Sequence, residues 1–376
     1  MNYKRFLGAA SAALMIIIAI LMLAPGAGAA SKYKTLHKFT GGKDGAFPLA
    51  SLIFDQAGNL YGTTAEGGAH HKGTVFKLAP NADGSWRESV LYNFCSRTYC
   101  GDGTEPEASL IFDQAGNLYG TTHGGGALDQ GTVFKLTPNA DGSWRESVLY
   151  SFCSRTNCSD GRFPEASLIF DQAGNLYGTT FAGGDQELCL AGGCGVVFKL
   201  TPNSKGGWNE RVLHRFCSRA NCGDGGVPVG SLIFDQAGNL YGTTAEGGAL
   251  NQGTVFKLTP NADGNWRESV LYNFCSRTNC GDGAVPVGSL IFDLAGNLCG
   301  ATFAGGDQEL CFAGGCGVVF KLTPNSKGGW NERVLHTFTD RPGASPHAGL
   351  IFDPAGNLYG TSSGNTTLGS VFEITP

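Results

Sequence analysis

The sequence Asp-x-x-Gly-Asn-Leu occurs six times, beginning at Asp55, Asp113, Asp171, Asp235, Asp293 and Asp353. The intervals are 58, 58, 64, 58 and 60 residues, and nothing else in the chain constrains its fold so tightly. A unit that cannot bury its own apolar face must stack on its neighbours, so the repeat predicts an array and not two unrelated domains. The 64-residue interval comes from a six-residue insertion around 188–194, which the fifth copy repeats at 310–316. Copies three and five are nearly the same text 122 residues apart, which reads as duplication of a two-unit block.

Each unit holds four short apolar segments, in the first copy 51–54, 59–64, 73–78 and 88–94. Val, Ile, Phe, Tyr and Thr dominate them, and Gly or Asn marks each boundary, so they read as strands. Gly makes up 59 of 376 residues, which argues against helix, while 11% aromatic residues argue against disorder. Asp55-Gln56-Ala57-Gly58-Asn59 and Pro80-Asn81-Ala82-Asp83-Gly84-Ser85 are tight enough for antiparallel hairpins. Four antiparallel strands repeated six times predict an all-β, six-bladed β-propeller filling 31–376 as a single domain. The segment Lys34-Thr35-Leu36-His37-Lys38-Phe39 matches the fourth-strand text Val90-Leu91-Tyr92-Asn93-Phe94, and the chain stops after a third strand at 370–375. The N-terminal strand is therefore expected to pair into the last blade, closing the ring and removing two sheet edges. A linear β-solenoid is the alternative, but it needs no such complementary ends.

The recurring Asp-x-x-Gly-Asn-Leu-Tyr-Gly-Thr-Thr, then Gly-Gly and Gly-Thr-Val-Phe-Lys-Leu-Thr-Pro, resembles the GloVer tandem-repeat family of exported bacterial proteins. The likeness spans essentially the whole chain after residue 30. It implies a secreted, propeller-like repeat protein and brings no catalytic residues to carry over. Some relatives end in a surface-sorting tail, whereas this sequence ends at Ile374-Thr375-Pro376. Cys299 departs from the pattern, standing where the other copies have Tyr.

Residues 1–30 read as a secretory signal peptide. Lys4 and Arg5 precede an apolar run, and Ala27-Gly28-Ala29 offers a cleavage pattern. An uncleaved membrane anchor is the rival reading, since about 18 apolar residues approach the length of a membrane span. Removing Lys4 and Arg5 takes the net charge from −5 to −7, and no basic run is present, so no nucleic-acid partner is expected. After cleavage no membrane partner is expected either. The protein is placed outside the cell, in the periplasm or at the cell surface, as a monomer.

Twelve of the 13 cysteines form six pairs at one spacing: Cys95–Cys100, Cys153–Cys158, Cys189–Cys194, Cys217–Cys222, Cys275–Cys280 and Cys311–Cys316. Zinc would need His or Cys partners at zinc-site spacings, so local disulfides fit an exported chain better. Cys299 is left as a buried free thiol, with intermolecular pairing as the alternative.

Strand parity puts the second-to-third and the blade-to-blade connections on one face of the disc. All the cysteine pairs fall there, so that is the expected functional face. The residue before each innermost strand reads Leu49, Glu107, Glu165, Val229, Val287, His347 around the ring. Glu107, Glu165 and His347 are the best candidates for ligand contact at the axial mouth. The inserted loops add Asp185, Glu187, Asp307 and Glu309, which could grip a partner or cover the rim. His70, His71 and His123 lie on loops of blades one and two and read as solvated side chains, with metal binding as the sharper alternative. Ser51, Ser109, Ser167, Ser231 and Ser289 read as a ring of small residues at the axis. The Asp of Asp-x-x-Gly-Asn is expected to cap turn amides, since one carboxylate and an amide fall short of a calcium shell. The five tryptophans, Trp86, Trp144, Trp208, Trp266 and Trp330, are expected to pack between blades.

No Gly-x-Ser-x-Gly, His-Glu-x-x-His or His-based triad can be assembled, and no cofactor is expected. The reading that follows is an exported, non-enzymatic propeller binding a carbohydrate or protein through stapled loops on one face. A hydrolase or lyase with an acid/base or metal cluster at the axial mouth is the alternative, and a structural surface repeat the third. Near-identity of the blades speaks against catalysis, which needs differentiated blades; the asymmetry of the mouth speaks for it.

Overall fold

The computed structural model describes residues 35–184, 193–306, 315–339, 345–346, 349–362 and 370–375. Segment 1–34, Asp185, Glu187, Cys189, Asp307, Glu309, Cys311 and His347 lie outside the described residues. Residues 1–38 cluster as a separate unit, whose described part, 35–38, carries no regular element.

Phe39–Pro376 contains the propeller. Blade one is the antiparallel meander Ile53–Phe54, Leu60–Thr64, Thr74–Pro80 and Trp86–Asn93. Blades two to five repeat it over 111–151, 169–215, 233–273 and 291–337. Blade six, 351–374, has three strands among the described residues. No described helix is long and apolar enough to cross a membrane.

The second strand, Leu-Tyr-Gly-Thr-Thr in blade one, is buried at every position because neighbouring blades cover both its faces. The outermost strand is only partly covered and carries charged residues such as Arg87 and Glu88. Each Asp-x-x-Gly-Asn turn is held as its sequence predicts. Asp55 accepts hydrogen bonds from the Ala57 and Asn59 amides at 2.9 Å, the Asn59 side chain at 2.7 Å and the Tyr61 hydroxyl at 3.0 Å. Gly58 supplies the positive φ of 80° that the turn requires.

Two sets of contacts join the blades. The phenylalanine directly after each fourth strand meets a third-strand phenylalanine of the next blade edge-on at 5.0 Å, as in Phe94–Phe134, Phe152–Phe198, Phe216–Phe256, Phe274–Phe320 and Phe338–Phe372. The sixth such pair is Phe39–Phe76, also at 5.0 Å. Phe39 thus occupies the position that a fourth strand of blade six would give it, although residues 35–40 form no strand and blade six has three strands among the described residues. Near the axis, the Ser51 amide donates to the Ser109 hydroxyl at 3.0 Å, and the pattern continues through Ser167, Ser231 and Ser289 at 3.0–3.1 Å. The expected ring of small residues is therefore a hydrogen-bonded belt across blade boundaries. Gly349 interrupts it in blade six, standing against Ser289.

The tryptophans also pack between blades. Trp144 lies edge-on to Tyr61 of the preceding blade and Trp266 to Tyr177, at 6.5 and 6.2 Å. Cys299 is the buried free thiol expected from its sequence slot.

Candidate functional site at the loop face

The two predicted classes of loop do share a face, and isolated bridges tie them together: Ala46 to Glu66, Thr104 to Gly124, Arg162 to Ala182, Gly226 to Glu246 and Ala284 to Ala304. A strained residue sits next to each bridge. Phe47, Glu105, Phe163, Val227 and Val285 hold φ between 54° and 58°, and Ser345, in the same slot of blade six, 59°, although each precedes a proline. Hydrogen bonds over-determine the position. The Phe163 amide donates to the Gln130 carbonyl of the preceding blade, while its own carbonyl accepts from the Phe181 amide, both at 2.9 Å. Gly131 makes room for the following proline: a Cβ there would come within 2.5 Å of Pro164 Cδ.

The stapled loops hold the blades together. Four of the expected disulfides, Cys95–Cys100, Cys153–Cys158, Cys217–Cys222 and Cys275–Cys280, are formed between described residues. Cys194 and Cys316 are also disulfide-bonded. Inside the first loop, Asp102 is fully buried and accepts from the Tyr92 hydroxyl, the Ser96 amide and hydroxyl, and the Arg97 amide, at 2.7–3.1 Å. Burial works to raise the Asp102 carboxyl, but these donors outweigh it and hold it below the usual range. In blade three His214 replaces the tyrosine and contacts Asp224 at 3.1 Å.

Arg97 then crosses to the next blade, where it donates to the Glu146 carbonyl at 3.1 Å and pairs with the Glu146 carboxylate. Arg155–Glu210, Arg219–Glu268 and Arg277–Glu332 repeat the clasp. Burial pushes each of these glutamates up to about 7 in spite of its arginine.

The residues nearer the axis are free of this structural duty. Glu107 and Glu165, the residues expected at the axial mouth, are both partly buried. They are joined by His123, which sequence reasoning reads as a solvated loop residue. That reading is corrected: the His123 ring stacks on Phe163 of the next blade, centroids 4.7 Å apart and 6° from parallel. Its amide donates to the Glu105 carbonyl at 3.0 Å, which fixes the backbone from the other side. Phe163 is covered in turn by the Arg162 guanidinium at 5.0 Å.

One ligand atom from each of Glu107, His123 and Glu165 lies within 4.8 Å of the other two. His123 Nδ1, shielded from solvent, is 3.1 Å from Glu165 Oε1, an ion-pair distance. The Glu165 contact raises the proton affinity of His123 against the opposing effect of burial. Burial raises the Glu107 carboxyl, with Glu165 and Glu105 adding to the rise and His123 opposing it. Lys72 neutralises Glu105 at 2.9 Å.

Other differences between copies gather on the same face. Phe47 and Leu49 of blade one are 59% and 63% exposed, and Tyr99, at a loop position that is Asn157, Asn221 and Asn279 after blades two, three and four, is 93% exposed. His70 and His71 are exposed, as expected of solvated side chains. The signal that could have found His123 and Tyr99 is the one that found Glu107: disagreement between copies. The slot of His123 is Ala65, Phe181, Ala245, Phe303 and Ser363 in the other copies.

The Gloeobacter/Verrucomicrobia repeat matches residues 24–191, 146–311 and 189–376. No curated protein matches the sequence. A solved glucose dehydrogenase structure is 12% identical with a TM-score of 0.47, over 89% of this chain and 97% of that one. At that score the likeness carries no argument about this chain's chemistry.

Proposed function

The chain belongs to the Gloeobacter/Verrucomicrobia repeat family, and from that premise we propose that it is an exported, non-enzymatic propeller that binds carbohydrate on its disulfide-bearing face. The observation that carries this reading is where the copies disagree. Blades that repeat turn, core and clasp nearly unchanged diverge at Glu107, His123, Glu165 and Tyr99, all on one face and contributed by blades one to three. Exposed aromatic rings and carboxylates on one face suit sugars, whose C–H faces stack on rings while their hydroxyls bond to acids. The apolar lead of residues 1–30 and the disulfides support export to an oxidising compartment.

A glycan array probed with the wild-type chain and with a Glu107→Gln/Glu165→Gln variant tests the proposal. Specific glycans should be retained by the wild type and bound at least tenfold more weakly by the variant. An array on which the two proteins behave alike removes this face from consideration.

The hydrolase or lyase reading keeps one observation in its favour, the adjacency of an imidazole to a carboxyl of raised proton affinity. Turnover of an array-selected glycan that His123→Ala abolishes would favour it over binding alone.

A further inference from the structure

We propose that Glu107, His123 and Glu165 form a binding site for one divalent first-row transition-metal ion, with Zn²⁺ the best-matched probe. One imidazole nitrogen and two carboxylates make the three-ligand donor set that such ions accept, leaving the remaining positions to water or a ligand. Ca²⁺ fits poorly, since it takes six to eight oxygens and disfavours nitrogen.

Three observations converge on the site. The donor atoms already lie within 4.8 Å of one another. Metal–ligand bonds of about 2.0–2.2 Å would bring them to roughly 3–3.6 Å, a closure that side-chain rotation can supply. His123 Nδ1, itself shielded from solvent, sits 3.1 Å from Glu165 Oε1, so the two opposed lone pairs must share either a proton or a cation. The imidazole is also held in place, its ring flat against Phe163 and its amide on Glu105, as a ligand must be to meet carboxylates from two blades.

The repeat supplies its own control. The site spans the boundary of blades two and three, where Glu107, His123 and Glu165 coincide. One step back the equivalent residues are Leu49, Ala65 and Glu107; one step forward they are Glu165, Phe181 and Val229. One further on they are Val229, Ala245 and Val287. Turn chemistry or blade packing would demand the same residues at each boundary, and it does not. The inference is independent of what the face binds, because it concerns the chain and an ion alone.

The test is calorimetric titration of the untagged full-length chain with Zn²⁺ after exhaustive chelation, with Co²⁺ absorption as a second readout of the donor set. One ion per chain should bind, and His123→Ala and Glu165→Gln should each weaken it at least tenfold. His70→Ala/His71→Ala should leave it unchanged, and Glu165→Gln, with its near-isosteric side chain, guards against a variant that fails to fold. Circular dichroism should show all the variants folded. A wild-type chain with no saturable site, or one whose affinity survives both His123→Ala and Glu165→Gln, overturns the proposal. So does equal loss in the His70/His71 variant, which would mark adventitious surface binding.

Discussion

Cys299 shows how one residue can depart from the repeat without breaking it. In four other copies the tyrosine in this slot donates to the turn aspartate and lies edge-on to a phenylalanine of the next blade, as Tyr61 does with Asp55 and with Phe112 at 5.1 Å. With cysteine there, Lys321 reaches Asp293 at 2.6 Å; its counterpart Lys77 instead lies over the Tyr61 ring. Burial pushes the Cys299 thiol up to about 12. Since the thiolate is the reactive form, Cys299 should resist thiol-directed alkylation in the native protein and react at once in denaturant, as mass spectrometry would show. Asp102 works at the same scale. Asp102→Ala strands several buried donors and should cost about 3 kcal/mol in chemical denaturation. The turn role of Asp55 is legible in the sequence because every partner lies within six residues. The burial of Asp102 is not, because the protein around it supplies the dryness.

The blade-to-blade connection is the element that does most to hold the disc, through Arg97 and its three counterparts. Each clasp leaves a buried glutamate whose proton affinity is raised to about 7. A group raised in the folded state favours folding below its ordinary value of 4.5, and that contribution is lost as pH climbs through about 7. The melting temperature should therefore be higher at pH 5 than at pH 8. Arg97→Ala removes the partner of a buried carboxylate and should cost about 3 kcal/mol at pH 8, and less at pH 5 where Glu146 holds a proton. A penalty that grows on acidification would contradict this account. Gly131 belongs to the same element. Gly131→Ala combines a positive φ of 92° with a clash against Pro164 and should cost about 2–3 kcal/mol in the same assay.

Over the whole propeller, stability depends on closing the ring between blades six and one. Phe39 fills the sixth of six equivalent aromatic contacts, so Phe39→Ala should cost about 3 kcal/mol and lower the melting temperature of the whole disc. Reducing the disulfides should be milder. Each closes a small loop worth about 2 kcal/mol, so the reduced protein should melt earlier while keeping its β-sheet circular dichroism.

The amino-acid sequence alone determined the sixfold repeat, the antiparallel blades, the Asp-x-x-Gly-Asn turns and the face on which the cysteine loops fall. All of these follow from period, parity and contacts a few residues long. Tertiary structure decided which residues meet across a blade boundary. His123 reads as a solvated loop histidine until Phe163, held at positive φ by the preceding blade, offers it a flat partner beside Glu165. Arg97 lies inside a cysteine loop, and only the fold brings the buried Glu146 of the next blade beneath it. The physical reason is common to both: periodicity fixes where a copy repeats, but direction and burial come from the neighbouring copy, and neither is written in the residue that depends on them.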